Sequence, residues 1–301
     1  ADGQRYHVEM GFAGQMLGRY ELVSVLGRGG MGEVWEAVLI GPHGFRKPVA
    51  LKLLRDGLVD PRHRDALIRE ARLGAMLSHP NVVTTLELGE AEEGWFVAME
   101  LVNGASVNAL RRAGISPGAV LDIGIQTCAG LAHIHALQVD GRPAGLVHRD
   151  IKPANLMVDR SGLIKIADLG IARLGDSEEG AAGTPGYMSP EQAQGDGDAR
   201  SDLFAMGACL YLLSTGKPAF GRGMQAMFAT MNVDETLLDP AFLAPVDSAV
   251  PGLGDVLRGC LHFDPAKRFA NAGQLGAALR VVRAGLPPGP SLVDLLSGLR
   301  S

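Results

Sequence analysis

Asp150, Lys152, Asn155 and Asp168 are the residues of this 301-residue chain whose types and spacing could do chemistry together. The first three lie in Leu-Val-His-Arg-Asp-Ile-Lys-Pro-Ala-Asn-Leu-Met-Val, from Leu146 to Val158, and the fourth in Leu-Ile-Lys-Ile-Ala-Asp-Leu-Gly, from Leu163 to Gly170. They offer two carboxylates, an amide oxygen and an ammonium. Two short apolar runs flank the polar turn Asp159-Arg160-Ser161-Gly162, which is the pattern of a β-hairpin. A hairpin brings its outer ends together, so Asn155 and Asp168 are expected side by side. Adjacent oxygen ligands suit Mg²⁺, which usually takes one or two carboxylates plus substrate phosphates. Asp150, just upstream, is then left to handle a proton. A lone Asp is ordinarily a surface turn residue, so it is the order and spacing of the whole set that argues for a site.

Further elements must position these groups. Alternating residues predict strands over 20–26, 33–40, 49–53, 82–88 and 95–101. Gly27-Arg28-Gly29-Gly30-Met31-Gly32 joins the first two. The same glycines occur in dinucleotide-binding turns, but there the third Gly opens a helix. Here Val34, Trp35, Val38 and Ile40 are β-formers, which favours a hairpin whose backbone N–H groups can approach phosphate oxygens. On the third strand, period two sets Ala50 and Lys52 on one face and Val49, Leu51 and Leu53 on the other. A Lys there is either a snorkelling surface residue or a ligand. Asp60-Pro61 then starts a helix with the stripe Ala66, Glu70, Leu73 and Leu77. Glu70 is either an inward carboxylate that needs a partner or a solvated residue at the stripe's edge. Ser116-Pro117 caps another helix, with an apolar face of Leu121, Ile125, Cys128, Leu131 and His135. His133 and His135 lack metal-ligand spacing and read as structural.

Composition sets bounds on these readings. With 47% hydrophobic and 20% charged residues, the chain can bury a sizeable core and is not disordered. A net charge of −5 gives no reason to expect a nucleic-acid partner. Cys128, Cys209 and Cys260 are scattered among apolar residues, as buried thiols in a reducing compartment would be, so a cytoplasmic protein is expected. The longest apolar run, Leu203 to Leu213, is about half of what a bilayer demands.

His148-Arg149-Asp150 with Lys152 and Asn155, followed by Asp168-Leu169-Gly170, resembles the catalytic and metal-binding loops of protein kinases. The resemblance covers roughly residues 18–283 and looks most like the bacterial members of the eukaryotic-like serine/threonine kinases. It implies an α+β, bilobal fold: a small lobe with a five-stranded antiparallel sheet and one main helix, and a larger, mainly helical lobe. The expected divisions are a loose leader at 1–17, lobes at 18–101 and 102–283, and a tail at 284–301. The implied activity is transfer of the ATP γ-phosphoryl group to protein Ser or Thr hydroxyls, with Mg²⁺ or Mn²⁺. Asp150 would take the proton of the incoming hydroxyl, and Lys152 would neutralise the transferred group. Asn155 and Asp168 would hold metal. Lys52, held by Glu70, would grip the α- and β-phosphates under Gly27, Gly29 and Gly32. Val34, Ala50 and Met157 would sandwich the adenine, with Met99, Glu100 and Val102 at its edge.

The same resemblance assigns Glu191 to pair with Arg268, Asp202 to brace the catalytic loop, and Thr184 to touch Asp150 and Lys152. Leu169 stands where the family most often has Phe, and Ser189-Pro190-Glu191 replaces the usual Ala-Pro-Glu. Arg149 beside Asp150 implies control by loop phosphorylation, and Ser177 is the candidate hydroxyl. The neighbouring Glu178 and Glu179 would partly substitute for its phosphate. Autophosphorylation between two copies implies a transient homodimer. Two other classes stay open: a nucleotide-binding pseudokinase scaffold, and a kinase-like enzyme acting on a small molecule.

Overall fold

The computed structural model describes residues 12–29, 32–54, 68, 71–91, 94–169, 183–221, 223 and 240–299. Contacts divide the chain into two compact units, 1–76 with 84–101 and 77–83 with 102–301. The first unit is built on an antiparallel sheet of order β1-β2-β3-β4-β6-β5. Its strands are β1 Met16–Leu17, β2 Tyr20–Gly29, β3 Gly32–Ile40, β4 Arg46–Leu54, β5 Thr85–Ala91 and β6 Gly94–Glu100. Six strands therefore stand where the sequence predicted five. The extra one, β1, falls in the stretch expected to be a loose leader, where Leu17 joins the buried cluster beside Tyr20 and Leu22. Two residues are too few to show a period, so β1 gave no alternation to read.

The pleat sorts β4 by face. Val49, Leu51 and Leu53 enter the core with Trp35, Ala37, Phe96 and Ala98, while Ala50 and Lys52 occupy the alternate positions. Gly32 is required where β3 leaves the glycine loop. Its φ is +147°, and a Cβ there would lie 1.8 Å from the Leu53 carbonyl oxygen. Residues 71–75 are helical. The expected helix start at Asp60-Pro61, and Glu70, lie outside the described residues.

The second unit claims 77–83, which the sequence reading had given to the first lobe. The strand expected to begin at Val82 begins at Thr85 instead. The cause is hydrogen bonding to residues distant in sequence: the Val83 N–H donates to the Ile166 carbonyl at 2.9 Å, and the Asn81 amide donates to the Ile164 carbonyl at 2.7 Å. Beyond it come β7 Gly104–Ser106, the ribbon β8 Gln138–Val139 with β9 Arg142–Pro143, and the hairpin β10 Leu156–Asp159 with β11 Ile164–Ile166. β7 pairs with the outer side of β10.

Helix Pro117–His135 starts at Ser116, whose hydroxyl accepts the Ala119 N–H. It is buried on most sides, so the expected single stripe gives way to a wider set that includes Ile123, Thr127 and Ile134, with Ile125 and His135 at the edge. Helix Ala199–Thr215 is apolar nearly all round and lies in the middle of this core, as its composition requires. An Asp198–Ser201 capping box opens it and sets Asp202 in the first turn. The C-terminal helix Leu292–Gly298 docks on the body: Leu292 and Leu296 are buried, and the Ser116 hydroxyl donates to the Pro290 carbonyl at 2.9 Å. Val293 lies against Gly162 in the β10–β11 turn. The three cysteines are buried free thiols.

Candidate active site

Residues 144–152 have no regular secondary structure, so their polar backbone groups need partners from elsewhere. Asp202 supplies two of them. Its Oδ2 accepts the His148 N–H at 2.9 Å, and its Oδ1 accepts the Arg149 N–H at 2.8 Å. The ring Nε2 of His135 also lies 2.8 Å from Oδ2. Burial pushes the Asp202 carboxyl up, but the His135 contact, the nearby imidazoles and the His148 N–H outweigh it and hold the group below its ordinary value. His148 is a strut: its Nδ1 accepts the Asp150 N–H at 3.3 Å and its Nε2 faces the Ala167 carbonyl at 3.1 Å. Gln192 adds a bond from Nε2 to the Arg149 carbonyl at 2.7 Å.

Asp150 is thereby presented inside a closed ring of partners, only 3% exposed. Its Oδ2 lies 2.8 Å from Lys152 Nζ and accepts from Asn155 Nδ2 at 2.9 Å. Its Oδ1 accepts the Thr184 hydroxyl at 2.6 Å, and that hydroxyl accepts from Lys152 Nζ at 2.9 Å. A hydroxyl held between a carboxylate and an ammonium is an arrangement suited to proton removal from an alcohol. Asn155 spends both its Nδ2 hydrogens on Asp150, on the carboxylate and on the carbonyl at 2.8 Å. Its Oδ1 is therefore the atom turned to other donors or cations. The hairpin closes as its sequence predicts, with the Ala167 N–H donating to the Asn155 carbonyl at 2.8 Å, which brings Asn155 and Asp168 to the same end. Asp168 adopts φ +60°, a left-handed conformation that Asp tolerates better than most residues. Leu169, next to it, is buried.

A second brace lies under the 183–191 loop. Ser189 caps helix Pro190–Ala193, and Glu191 in its first turn meets Arg268 through two bonds of 2.7 and 2.8 Å. The Ser201 hydroxyl donates to the same carboxylate at 2.7 Å. Arg268 also donates to the carbonyls of His262 and Phe263 and lies 4.9 Å from the Phe204 ring centre. Burial raises the Glu191 carboxyl, but the Arg268 bonds and charge win and bring it down to about 2.

In the first unit, Gly27, Gly29 and Gly32 lie where β2 turns into β3, and Arg28 pairs across to the buried Glu33 at 3.1 Å. Glu33 also accepts from Trp35 Nε1 at 3.0 Å. Lys52 is buried and stands opposite Val34 on the neighbouring strand. Met99 pairs with Ala50, and Glu100 ends β6 with its N–H on the Thr84 carbonyl at 3.0 Å. Val102 begins the next stretch of the second unit, where Met157 sits on β10. Glu70 and Ser177 lie outside the described residues.

A family profile for the protein kinase domain matches residues 20–277. The chain belongs to the protein kinase family. It is 36% identical over 282 residues to serine/threonine-protein kinase pkn3 of Myxococcus xanthus, covering 88% of this chain and 50% of that protein. It is 35% identical to serine/threonine-protein kinase PknB of Mycobacterium leprae, covering 90% of this chain and 44% of that one. The chain thus spans about half or less of the length of these relatives. The crystal structure of the Mycobacterium tuberculosis PknI kinase domain is 28% identical and superposes with a TM-score of 0.69, covering 90% of this chain and 99% of that one.

Protein kinases in general use ATP and a divalent metal, and the donor set of this chain fits that use. Asn155 Oδ1 and the Asp168 carboxylate are oxygen donors at one hairpin end. Among the described residues no cluster of three or more His, Cys, Asp or Glu forms a dedicated metal cage. A site of few protein oxygens completed by phosphate is what a hard octahedral cation takes. Sequence reasoning missed two contacts of this constellation, that of His135, read as structural, with Asp202 and that of Gln192 with Arg149. The first had left a trace, because an imidazole on an otherwise apolar helix face needs a polar partner. The second had none, since Gln192 reaches a carbonyl 43 positions away.

Proposed function

We propose that this kinase domain transfers the γ-phosphoryl group of ATP to Ser and Thr hydroxyls of proteins, using Mg²⁺ with Mn²⁺ as a substitute. The observation that carries the reading is the Thr184 hydroxyl held between the Asp150 carboxylate and the Lys152 ammonium. In the proposed reaction a substrate hydroxyl occupies a comparable position. Its oxygen forms a bond to the γ-phosphorus as the bond to the bridging oxygen of ADP breaks. Its proton passes to the Asp150 carboxylate. Lys152 offsets charge on the transferred group, and Asn155 fixes the Asp150 carboxylate while its own Oδ1 joins Asp168 in holding metal. The metal supplies positive charge against the phosphate oxygens. Lys52, with Glu70 as its partner, grips the α- and β-phosphates. The glycines at 27, 29 and 32 cover them. Val34, Ala50 and Met157 bracket the adenine, and Met99, Glu100 and Val102 line its edge.

Ser177 is the proposed regulatory hydroxyl, answering to Arg149, with two copies meeting transiently for autophosphorylation. Incubation of the purified chain with Mg-ATP followed by phosphosite mass spectrometry tests the whole reading. Phosphate on Ser or Thr, absent in an Asp150→Asn protein, is the expected result. Nucleotide binding without any phosphate transfer would establish the pseudokinase alternative instead. A rate of Ser177 labelling independent of protein concentration would rule out the two-copy route.

A further inference from the structure

Beside the loop that carries Thr184 lies a cavity of about 270 Å³ within the second unit. Pro185, Gly186 and Tyr187 line it on the side of that loop, and Leu212 and Ala219 line it as well. Helix Val107–Ala113 closes another side with Asn108 and Arg111. Arg111 is the one charged residue among the described lining. Its Nη2 reaches Asn108 Oδ1 only at 3.4 Å, and its buried Nε has no acceptor among the described residues. A buried guanidinium N–H without an acceptor is costly, and native interiors rarely leave one so. The fork geometry of Arg calls for a carboxylate or a phosphate. The remaining walls are mostly apolar or backbone, so nothing else described there supplies a negative charge.

The position of this cavity gives it a purpose. Pro185 to Tyr187 directly follow Thr184, whose hydroxyl touches Asp150 and Lys152. Asn108 is tied to the other loop, the one that carries Asp150 and Lys152, through its N–H on the Pro153 carbonyl at 2.9 Å. A peptide that offered its hydroxyl to Asp150 would have its flanking residues within reach of this cavity. We infer that the cavity is a substrate subsite that takes an anionic side chain near the acceptor residue, with Arg111 as its recognition element. The anion is the carboxylate of Asp or Glu, or the phosphate of a residue modified beforehand. This assignment rests on the proposed protein-kinase reading and adds to it the class of substrate sequence.

Peptides with one Ser acceptor and Glu, phosphoserine, Gln or Lys scanned through the flanking positions test it. In the wild-type protein, kcat/KM at one flanking position is expected to favour Glu or phosphoserine over Gln by about tenfold, the scale of a charge-assisted hydrogen bond. The ratio of the two anionic peptides identifies the source of the anion. In Arg111→Ala that acidic-to-neutral ratio should fall to about one, and in Arg111→Glu the Lys peptide should lead. Arg112→Ala, at the exposed neighbour, should keep the wild-type ratio. A ratio within each variant is insensitive to the amount of folded enzyme. A parallel measurement follows fluorescence anisotropy of Ala-acceptor peptides binding without ATP. Arg111-dependent binding of the anionic peptide without turnover would sink the kinase reading and leave the subsite standing. Turnover with no acidic preference, or a preference that survives Arg111→Ala and Arg111→Glu, would overturn the subsite and leave the kinase reading standing.

Discussion

Replacing Glu191 by Gln isolates the charge in the brace beneath the 183–191 loop. The Arg268 side chain is fully buried and that of Glu191 is 15% exposed. Gln preserves shape and one acceptor oxygen but leaves a guanidinium uncompensated. Breaking a buried ion pair by removing one partner costs about 3–5 kcal/mol. The three backbone carbonyls that also receive Arg268, those of His262, Phe263 and Arg200, put this case at the lower end. The Glu191 titration gives a second route to the magnitude. Its carboxyl falls from 4.5 to about 2. At 1.36 kcal/mol per pH unit that span is worth at most about 3 kcal/mol, and partial solvent screening reduces it to about 2.

The two routes agree on a loss of about 2–3 kcal/mol at neutral pH. Because the folded value is depressed, this stabilisation is complete above the unfolded carboxyl value of 4.5 and disappears as pH falls toward 2. Urea melts of both proteins at pH 7, 5, 4 and 3 should therefore show a gap that narrows with acid. Far-UV circular dichroism is the proper probe, because Trp35 and Trp95 both lie in the first unit while this brace is in the helical second one. Taking the difference between the two proteins cancels other carboxylates. A gap below about 0.5 kcal/mol at pH 7, or one unchanged at pH 3, would refute the reasoning. A Glu191→Met, Arg268→Met double substitution should recover much of the loss, since no charge is then left buried.

Three further outcomes follow from the same contacts. Asp202→Asn replaces an acceptor shared by two backbone N–H groups and His135 with a group whose NH₂ must face one of those donors. It should cost about 2–4 kcal/mol and lower phosphoryl transfer about 10- to 100-fold with little change in KM for ATP, read from melts and steady-state kinetics. Wild-type kinetics in that variant would refute the bracing role. Gly32→Ala forces a Cβ toward the Leu53 carbonyl at φ +147° and should destabilise the first unit by more than about 2 kcal/mol, seen as an earlier tryptophan-fluorescence transition. Leu296→Asp places a charge at a 5%-exposed site and should undock the C-terminal helix locally, with faster amide exchange at Gly162 and Leu163. Unchanged exchange there would show that the helix does not support the hairpin turn.

Local rules made much of this molecule legible. The Ser116 cap, the 156–167 hairpin and the alternation of β4 depend on residues a few positions apart, and pattern alone finds them. Contacts across long sequence separations behaved differently. That Glu191 reaches Arg268 came from family resemblance, because nothing local to either residue announces a partner 77 positions away. The 77–83 segment, expected in the first lobe, groups with the second unit for a related reason. Val82 and Val83 read as a strand, yet their pairing is with Ile166 rather than with the first unit's sheet. β1 was too short for any period to register, and the polar contact of His135 with Asp202 depends on two helices meeting 67 positions apart.

The same division explains where the chain spends its conformational strain. Among the described residues four non-glycines have positive φ, His43 and Asp140 in turns away from the site and Arg149 and Asp168 within it, at +66° and +60°, a region that costs about 1–3 kcal/mol each. Neither Arg149 nor Asp168 lies in a helix or a strand that could impose the conformation through its own ladder. Arg149 is held instead by Asp202 on its N–H and Gln192 on its carbonyl, and Asp168 follows an Ala167 clamped by Asn155 below and His148 above. Partners distant in sequence, the helical side chains of Asp202 and Gln192 for Arg149 and the His148 ring with the Asn155 carbonyl for Asp168, thus fix backbone geometry that the local sequence disfavours. The Asp150 carboxylate, the Asn155 amide and the Asp168 backbone are consequently set by contacts within the folded chain itself. Reorganisation avoided in this way is what an active site for phosphoryl transfer gains most from, since the protein's contribution there is positioning and charge.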